Sequence, residues 1–164
     1  MPFPFSLSGA VLAPRVSIDE ALGLLHAALD GRGAAALRRD GPSIQFRGGL
    51  GIRSRGGLFS SAFSNWNVLM PITSGVLEIA PAPGGVRVGY RVTFWQLVAV
   101  ATPMVGFLAY FAGGEPGPPG GGLTLFAIAW SWLVGGNVLI ARVRFPAFLR
   151  RTLADRPGTP SARG

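Results

Sequence analysis

The sequence lacks cysteine and lysine and contains a single histidine, His26. Without cysteine the chain has no disulfide, no thiolate metal ligand and no cysteine redox chemistry. Without lysine it has no Schiff-base or lysine-nucleophile chemistry. One histidine, which follows Leu25 at the edge of a predicted helix, does not build a multi-histidine metal centre. We therefore expect no metal ion, no cofactor and no catalytic residues.

Acidic residues are also few. The 164 residues include seven acidic and fifteen basic residues, all of the latter arginine, which gives a net charge of +8. Residues 1–91 carry nine arginines and five acids, residues 142–164 carry six arginines and one acid, and residues 113–122 carry Glu115 alone. A basic chain is typical of nucleic-acid binding, but this placement is better explained by membrane orientation and contact with anionic lipid. We expect no nucleic-acid partner.

Two long runs contain no charged residue: Val92–Ala112, with 21 residues, and Leu123–Ala141, with 19 residues. As helices, each would span about 30 Å, which is the thickness of a bilayer core. The glycine- and proline-rich residues 113–122 between them break the helix. The sequence therefore predicts a two-helix transmembrane hairpin over residues 92–141. Two buried helices of a soluble protein are the disfavoured alternative, because this short chain offers few amphipathic helices to cover them.

Basic residues flank both open ends of the predicted hairpin and are absent from its loop. By the positive-inside rule, both termini are cytoplasmic and the loop lies outside. We therefore expect a multi-pass protein of the plasma (inner) membrane, of bacterial type.

The residues before the hairpin have the pattern of a small domain. Residues 1–16 are apolar and contain early prolines, so we expect an irregular arm, followed by a cytosolic α+β domain over residues 17–91. Ser17-Ile18-Asp19-Glu20 has the form of a capping box. It predicts a helix to about Asp30 with Gly31 as its stop, and an apolar stripe at helical spacing follows from Ile18 to Leu29.

A period of two then predicts two β-hairpins, Ala34–Arg38 with Ser43–Arg47 and Gly75–Ala80 with Val86–Val92. The second is expected to have a long turn over residues 81–85. Its second arm alternates Val86, Val88, Tyr90 and Val92 with arginine and glycine, which predicts one buried and one basic face. The fold class is thus an α+β membrane protein, with one helix and an antiparallel sheet of four or five strands before the hairpin.

The segment Gly48–Gly57 contains five glycines with Arg53 and Arg55. A phosphate-binding loop would need glycines at a fixed spacing before a helix and, in one form, a lysine, and this segment has neither. We interpret it as a loop, or as a short strand Ile52–Arg55 in which both arginines point the same way toward lipid phosphates.

Residues 142–164 form a basic juxtamembrane tail, in which Pro146 is expected to open a short helix to about Ala154. This helix would lie on anionic lipid, and a solvated tail that serves only orientation is the alternative. The candidate lipid contacts of the whole chain are Arg53, Arg55, Arg87, Arg91, Arg142, Arg144, Arg150 and Arg151.

In the second apolar run, small residues recur at helical spacing and would let another helix approach closely. These helix-packing candidates are Ala127, Ser131 and Gly135, together with Asn137, whose amide is interpreted as a hydrogen-bonding contact between helices. The partner helix is either the first run or another subunit.

Three functional hypotheses follow. The leading one is a non-catalytic integral membrane protein whose cytosolic domain binds a protein partner or anionic lipid headgroups at the inner membrane face. The alternative is a subunit of an oligomeric channel or transporter complex, in which the chain associates with itself or with another membrane protein. An enzyme using Asp19, Glu20, Asp40 and Glu78 is the least favoured, because general acid–base catalysis needs convergent groups and the first two are typical first-turn helix acids.

Overall fold

The structure is a computed structural model that describes residues 5–48, 67–112 and 121–155. This part of the chain has an α+β fold with a five-stranded antiparallel sheet, as the sequence predicts. The elements in chain order are β1 (Ser6–Pro14), α1 (Ile18–Gly31), β2 (Ala35–Asp40), β3 (Ser43–Arg47), β4 (Ser74–Ala82), β5 (Gly85–Thr93), α2 (Trp95–Ala112), α3 (Gly121–Trp130), a π-helical segment (Ser131–Gly135) and α4 (Gly136–Ala154).

Both predicted hairpins are present in the sheet, whose strand order is β1-β5-β4-β3-β2. In the β2–β3 turn, Gly41 has a positive φ of 52°, a conformation that glycine adopts without a steric penalty. The β4–β5 turn is shorter than expected. Pairing continues to Ala82 opposite Gly85, so only Pro83 and Gly84 remain as the loop, and Gly84 has a φ of 77°.

Helix α1 has the start, end and buried face that its sequence predicts. The Glu20 backbone N–H donates to the Ser17 hydroxyl oxygen at 3.2 Å, as in a capping box. The inward residues of the stripe contact the sheet, whose alternating side chains complete the same core. The fully buried members include Leu22, Leu25 and Leu29 of α1, Ile44 and Phe46 of β3, Leu77 of β4, and Val88 and Val92 of β5.

The expectation of an irregular arm over residues 1–16 is wrong for most of that segment. Residues Ser6–Pro14 form the edge strand β1, which pairs with β5 from Ser6 opposite Thr93 to Pro14 opposite Gly85. Val11 and Ala13 are buried while Leu12 is 69% exposed, so burial alternates along this strand although all three residues are apolar. Pro14 is compatible with this strand because it lies at the strand's end on an edge of the sheet.

The expectation of a separate juxtamembrane tail is also wrong. Helix α4 passes through Pro146 without a new start, and its second half packs into the domain core through Phe145, Phe148, Leu149 and Leu153. The Phe145 ring is fully buried and lies 5.3 Å from the Tyr90 ring and 6.3 Å from the Phe46 ring. This packing outweighs the backbone hydrogen bond that a proline removes from a helix. Residues 156–164 lie outside the described residues.

Two apolar helical segments adjoin the domain and run antiparallel to each other. The Trp130 Nε1–H donates to the Thr102 hydroxyl oxygen at 3.0 Å, and Gly106 lies against the Phe126 ring. Later residues of α2 therefore contact earlier residues of α3, which makes the two helices antiparallel. We call α2 and α3 the helix pair. One helix in the described residues, the continuous stretch Gly121–Ala154, is long and apolar enough to span a membrane, and Trp95–Phe111 is a shorter apolar helix.

We predict that Phe145→Ala lowers the free energy of unfolding by about 3–5 kcal/mol, because it removes a buried ring and leaves a cavity between the sheet and α4. Thermal unfolding in detergent, followed by circular dichroism, measures the change. Phe107→Ala is the matched control, since that ring is 62% exposed on α2 and its loss should leave the domain's transition unchanged. Equal melting of Phe145→Ala and the wild type would contradict a core role for Phe145.

Candidate membrane-contact surface

The outer surface of the helices after the sheet is apolar. All but one of the large apolar side chains that are exposed in the described residues lie on these helices, and the exception is Leu12. In the most apolar 18-residue stretch of the helix Gly121–Ala154, only 6% is buried inside the protein. A contiguous exposed apolar surface of this kind marks contact with a membrane or a partner. Its members are Trp95, Val100, Met104, Phe107, Leu108, Tyr110, Phe111, Leu123, Leu125, Ile128, Trp132, Leu139, Ile140 and Val143.

The buried cluster on the inner side of the helix pair is small and mostly apolar. Val98 and Ala101 of α2 are buried against Val134 of the π-helical segment. Phe5, just before β1, packs edge-on against Trp130 at 6.3 Å between ring centroids, and so joins the start of the chain to the helix pair. The hydrogen bond between Trp130 and Thr102 adds a polar contact that sequence reasoning missed, since Trp130 had no assigned partner.

The predicted helix-packing residues do not face α2. Ala127, Ser131 and Gly135 are exposed, and a Cβ atom built on Gly135 meets nothing within 4 Å. The Asn137 side-chain amide donates to the Leu133 backbone oxygen of its own helix at 2.6 Å. Asn137 therefore satisfies a carbonyl of the π-helical segment within its own helix, and packing of these residues against a helix of another subunit stays a prediction.

The sheet presents a defined end to the helix pair, which we call the helical end. There Ser6, Thr93, Ser74 and Arg47 lie side by side in one row of the pairing register, and β5 leads directly into α2. The backbone N–H of Gln96 donates to the Thr73 hydroxyl oxygen at 2.7 Å, which satisfies one of the free amides at the start of α2. The sheet and α2 are thus joined without a linker.

One face of the sheet is not covered by α1 or α4 and carries the alternating arginines of β5. We call it the open face. Arg91 lies two residues from Thr93, and Arg87 lies six residues from it, which at about 3.4 Å per residue places Arg87 about 20 Å from the helical end. Arg47, which was not among the candidates, lies in the row of the helical end itself. The open face is therefore most basic next to the helix pair.

The arginines of α4 lie on two sides of the helix. Arg142 and Arg150 act electrostatically on Tyr90, whose pKa is raised by burial and lowered less strongly by these two charges. Arg144 and Arg151 lie on the side that faces α1. Arg53 and Arg55 lie outside the described residues, as do residues 113–120 of the predicted loop.

Of the acids considered for catalysis, Asp19 and Glu20 lie in the first turn of α1, while Asp40 and Glu78 lie on either side of Ser43 in one row of the sheet. Asp19 accepts a hydrogen bond from the Arg39 guanidinium at 2.9 Å at the rim of the domain, while Glu78 is exposed in the middle of the sheet. Within residues 5–48, 67–112 and 121–155, no group of three or more His, Cys, Asp or Glu side chains is placed to hold a metal ion.

In comparisons with family models, curated proteins and solved structures, nothing matched this chain.

We predict that Tyr90→Phe reduces the alkaline loss of stability. Because the pKa of Tyr90 is raised in the folded state, the native protein holds this proton more tightly than the unfolded chain, whose phenol ionises near pH 10. The contribution of Tyr90 to the free energy of unfolding is therefore fully present below about pH 10 and is lost as the pH rises above that value. Denaturant unfolding at neutral and alkaline pH should show a smaller decline for Tyr90→Phe.

Tyr110→Phe is the matched control, because Tyr110 is 77% exposed on α2. Its decline with pH should equal that of the wild type. Equal declines for Tyr90→Phe and the wild type would contradict the assignment of this titration to Tyr90.

Proposed function

We propose that this chain is a non-catalytic integral membrane protein of the plasma membrane, and that its N-terminal α+β domain binds anionic lipid headgroups at the cytoplasmic face. In this proposal residues 92–141 cross the bilayer twice and both termini are cytoplasmic. The observation that carries the proposal is the helix Gly121–Ala154, whose first half is apolar and exposed and whose second half is built into the domain core.

The lengths and exposure of the helix pair support two crossings. Helix α2 has 18 residues and would span about 27 Å, close to a bilayer core of about 30 Å. Because α2 and α3 are antiparallel neighbours, α2 and the residues from Gly121 to about Val138 would occupy the same depth. Their outward side chains are large and apolar, which is unfavourable in water and favourable in lipid.

The arrangement of arginines supports headgroup binding. Arg47 and Arg91 lie at or near the helical end on the open face, and Arg142 lies one residue beyond the second apolar run. A basic side chain near an anionic membrane surface contributes about 1 kcal/mol, an effect that declines within a Debye length of about 8–10 Å. Because β5 leads into α2 without a linker, these charges would be held within that distance of the bilayer.

The absence of cysteine allows a direct test of the topology. Single cysteines are introduced as Ser43→Cys, Gly117→Cys and Ser161→Cys, and intact cells are treated with a membrane-impermeant maleimide. We expect labelling at position 117 alone, because this position would lie outside while the domain and the C-terminus lie inside. Ile128→Cys, at a position 65% exposed on the helix pair, should stay unlabelled even after the cells are permeabilised.

Labelling at positions 43 and 161 but not at 117 would contradict the orientation and place the domain outside the cytoplasm. No labelling at any position in intact cells, together with labelling of Ile128→Cys after permeabilisation, would contradict membrane insertion itself.

A second prediction compares two arginines on the same strand and the same face. Arg91→Gln should lower the affinity of the full chain for phosphatidylglycerol by up to about fivefold, which corresponds to the loss of about 1 kcal/mol for one charge near the surface. Arg87→Gln should have little effect, because Arg87 is about two Debye lengths from the helical end. Native mass spectrometry of the detergent-solubilised protein with phosphatidylglycerol and phosphatidylcholine measures both affinities.

Equal losses for the two variants would contradict the proposed position of the domain relative to the bilayer. Equal affinities of the wild type for phosphatidylglycerol and phosphatidylcholine would contradict headgroup binding and favour a protein partner on the same surface.

A further inference from the structure

A groove between α1 and α4 forms a concave surface lined by described residues. Its volume is about 720 Å³, within the range of about 300–1,000 Å³ that is usual for ligand sites. Three arginines line it, Arg32 from the C-terminal end of α1 and Arg144 and Arg151 from α4, against a single acid, Asp155. Apolar side chains form the remainder of the wall, among them Leu24, Val68, Val143 and Phe148. The groove therefore combines positive charge with an apolar surface.

Arg32 is held in place by its surroundings. Its guanidinium lies 4.1 Å from the centroid of the Phe148 ring, and its backbone oxygen accepts a hydrogen bond from the Asn67 side-chain amide at 3.2 Å. Partial burial lowers the pKa of Arg32 from its ordinary value, which identifies this cation as one that water does not fully solvate. A stacked guanidinium keeps its edge available for a planar, bidentate contact with phosphate oxygens.

One end of the groove lies close in sequence to the second apolar run. Val143, which lines it, is two residues beyond the apolar run that ends at Ala141, and Val143 is 67% exposed. The α1 end that carries Arg32 lies at the same end of the domain, because β2 begins at Ala35, which pairs with Arg47 in the row of the helical end. From Val143 the groove follows α4 to Asp155, a distance of about 18 Å along the helix.

We infer that this groove is a binding site for one anionic phospholipid, whose phosphate contacts Arg32 and Arg144 while its acyl chain passes Val143 into the bilayer. The inference rests on the proposed membrane placement and deepens it by assigning a particular site and ligand class. Arg151 adds a third positive charge farther along α4, toward the groove's distal end.

A lipid fits the groove better than either of two other anions. A free phosphate would be satisfied by the arginines and would leave the apolar wall exposed to water. An acidic peptide would bring backbone N–H and C=O groups that need hydrogen-bond partners in the groove. The lining named above is mainly arginine and hydrocarbon, so it suits such a backbone poorly. An anionic phospholipid can pair its phosphate with the arginines while its acyl chain covers Val143, which lies on the bilayer side of Arg144.

The test uses the full chain in detergent–lipid micelles with a phosphatidylglycerol that carries a photoactivatable acyl chain. After irradiation, crosslinked peptides are located by mass spectrometry. We expect crosslinks to Val143 in the groove, as well as crosslinks to outward residues of the helix pair such as Ile128. Arg144→Gln should reduce the groove crosslink about tenfold, equivalent to about 1.4 kcal/mol, which is the scale of one charge-assisted hydrogen bond.

Arg87→Gln is the charge-matched control and should leave the groove crosslink unchanged. Arg32→Lys keeps the charge but loses the planar fork, so it should also weaken the crosslink, and its melting temperature shows whether the fold is retained. If Arg32→Lys destabilises the domain, Arg144→Gln and Arg151→Gln still test the site, because it is the Arg32 guanidinium that lies over the Phe148 ring.

The outcomes separate the two proposals. Crosslinks to the helix pair without any in the groove would overturn the groove site and leave the membrane placement intact. No crosslink at either place would overturn both. Loss of the groove crosslink on adding inorganic phosphate, with chloride at equal ionic strength as the reference, would show that the site takes a free anion and would overturn the lipid assignment. If Arg87→Gln and Arg144→Gln lowered the yield of the groove crosslink equally, the effect would depend on net charge alone. That result would overturn the site.

Discussion

The packing of Phe145 between the sheet and the rest of α4 is the interaction on which the arrangement of this molecule depends. Phe145 contacts Tyr90 of β5 and neighbours Phe46 of β3 and Phe148 of its own helix. Because the same helix continues back to Gly121, this contact fixes the apolar helical segment relative to the sheet. The domain core and the proposed membrane anchor therefore share one helix, which explains why no flexible connection lies between α3 and the domain.

Much of the domain could be predicted because its signals are local. The capping box of Ser17 and Glu20, the apolar stripe of α1 and the alternation of β5 each depend on residues within one element, and each has the predicted structure. Strand β1 was missed because Val11-Leu12-Ala13 is a continuous apolar run without alternation and because prolines precede the strand. Its stability comes from nine pairs with β5, a partner about 80 residues away in sequence that no local pattern reveals.

The role of α4 could not be predicted for a different reason. Phe145, Phe148, Leu149 and Leu153 form an apolar face that is equally compatible with a lipid surface and with a protein core. Pro146 also reads as a helix start, although in the structure it lies inside a continuous helix. The groove that contains Arg32 was unpredictable for a related reason, since its lining comes from α1, α4 and Val68, which are distant in sequence. Such a site exists only after the core has brought these elements together.

The participation of α4 in the core has a consequence for synthesis of the protein on the ribosome. The sheet needs β5, and the core behind it needs residues of α4 up to Leu153. The N-terminal domain therefore cannot complete its core until the residues up to Leu153 have left the ribosome. On the proposed topology, both apolar helices enter the bilayer before the domain that precedes them has folded. Insertion would then come first and folding of the domain second, so the membrane would act as the surface on which the domain is assembled.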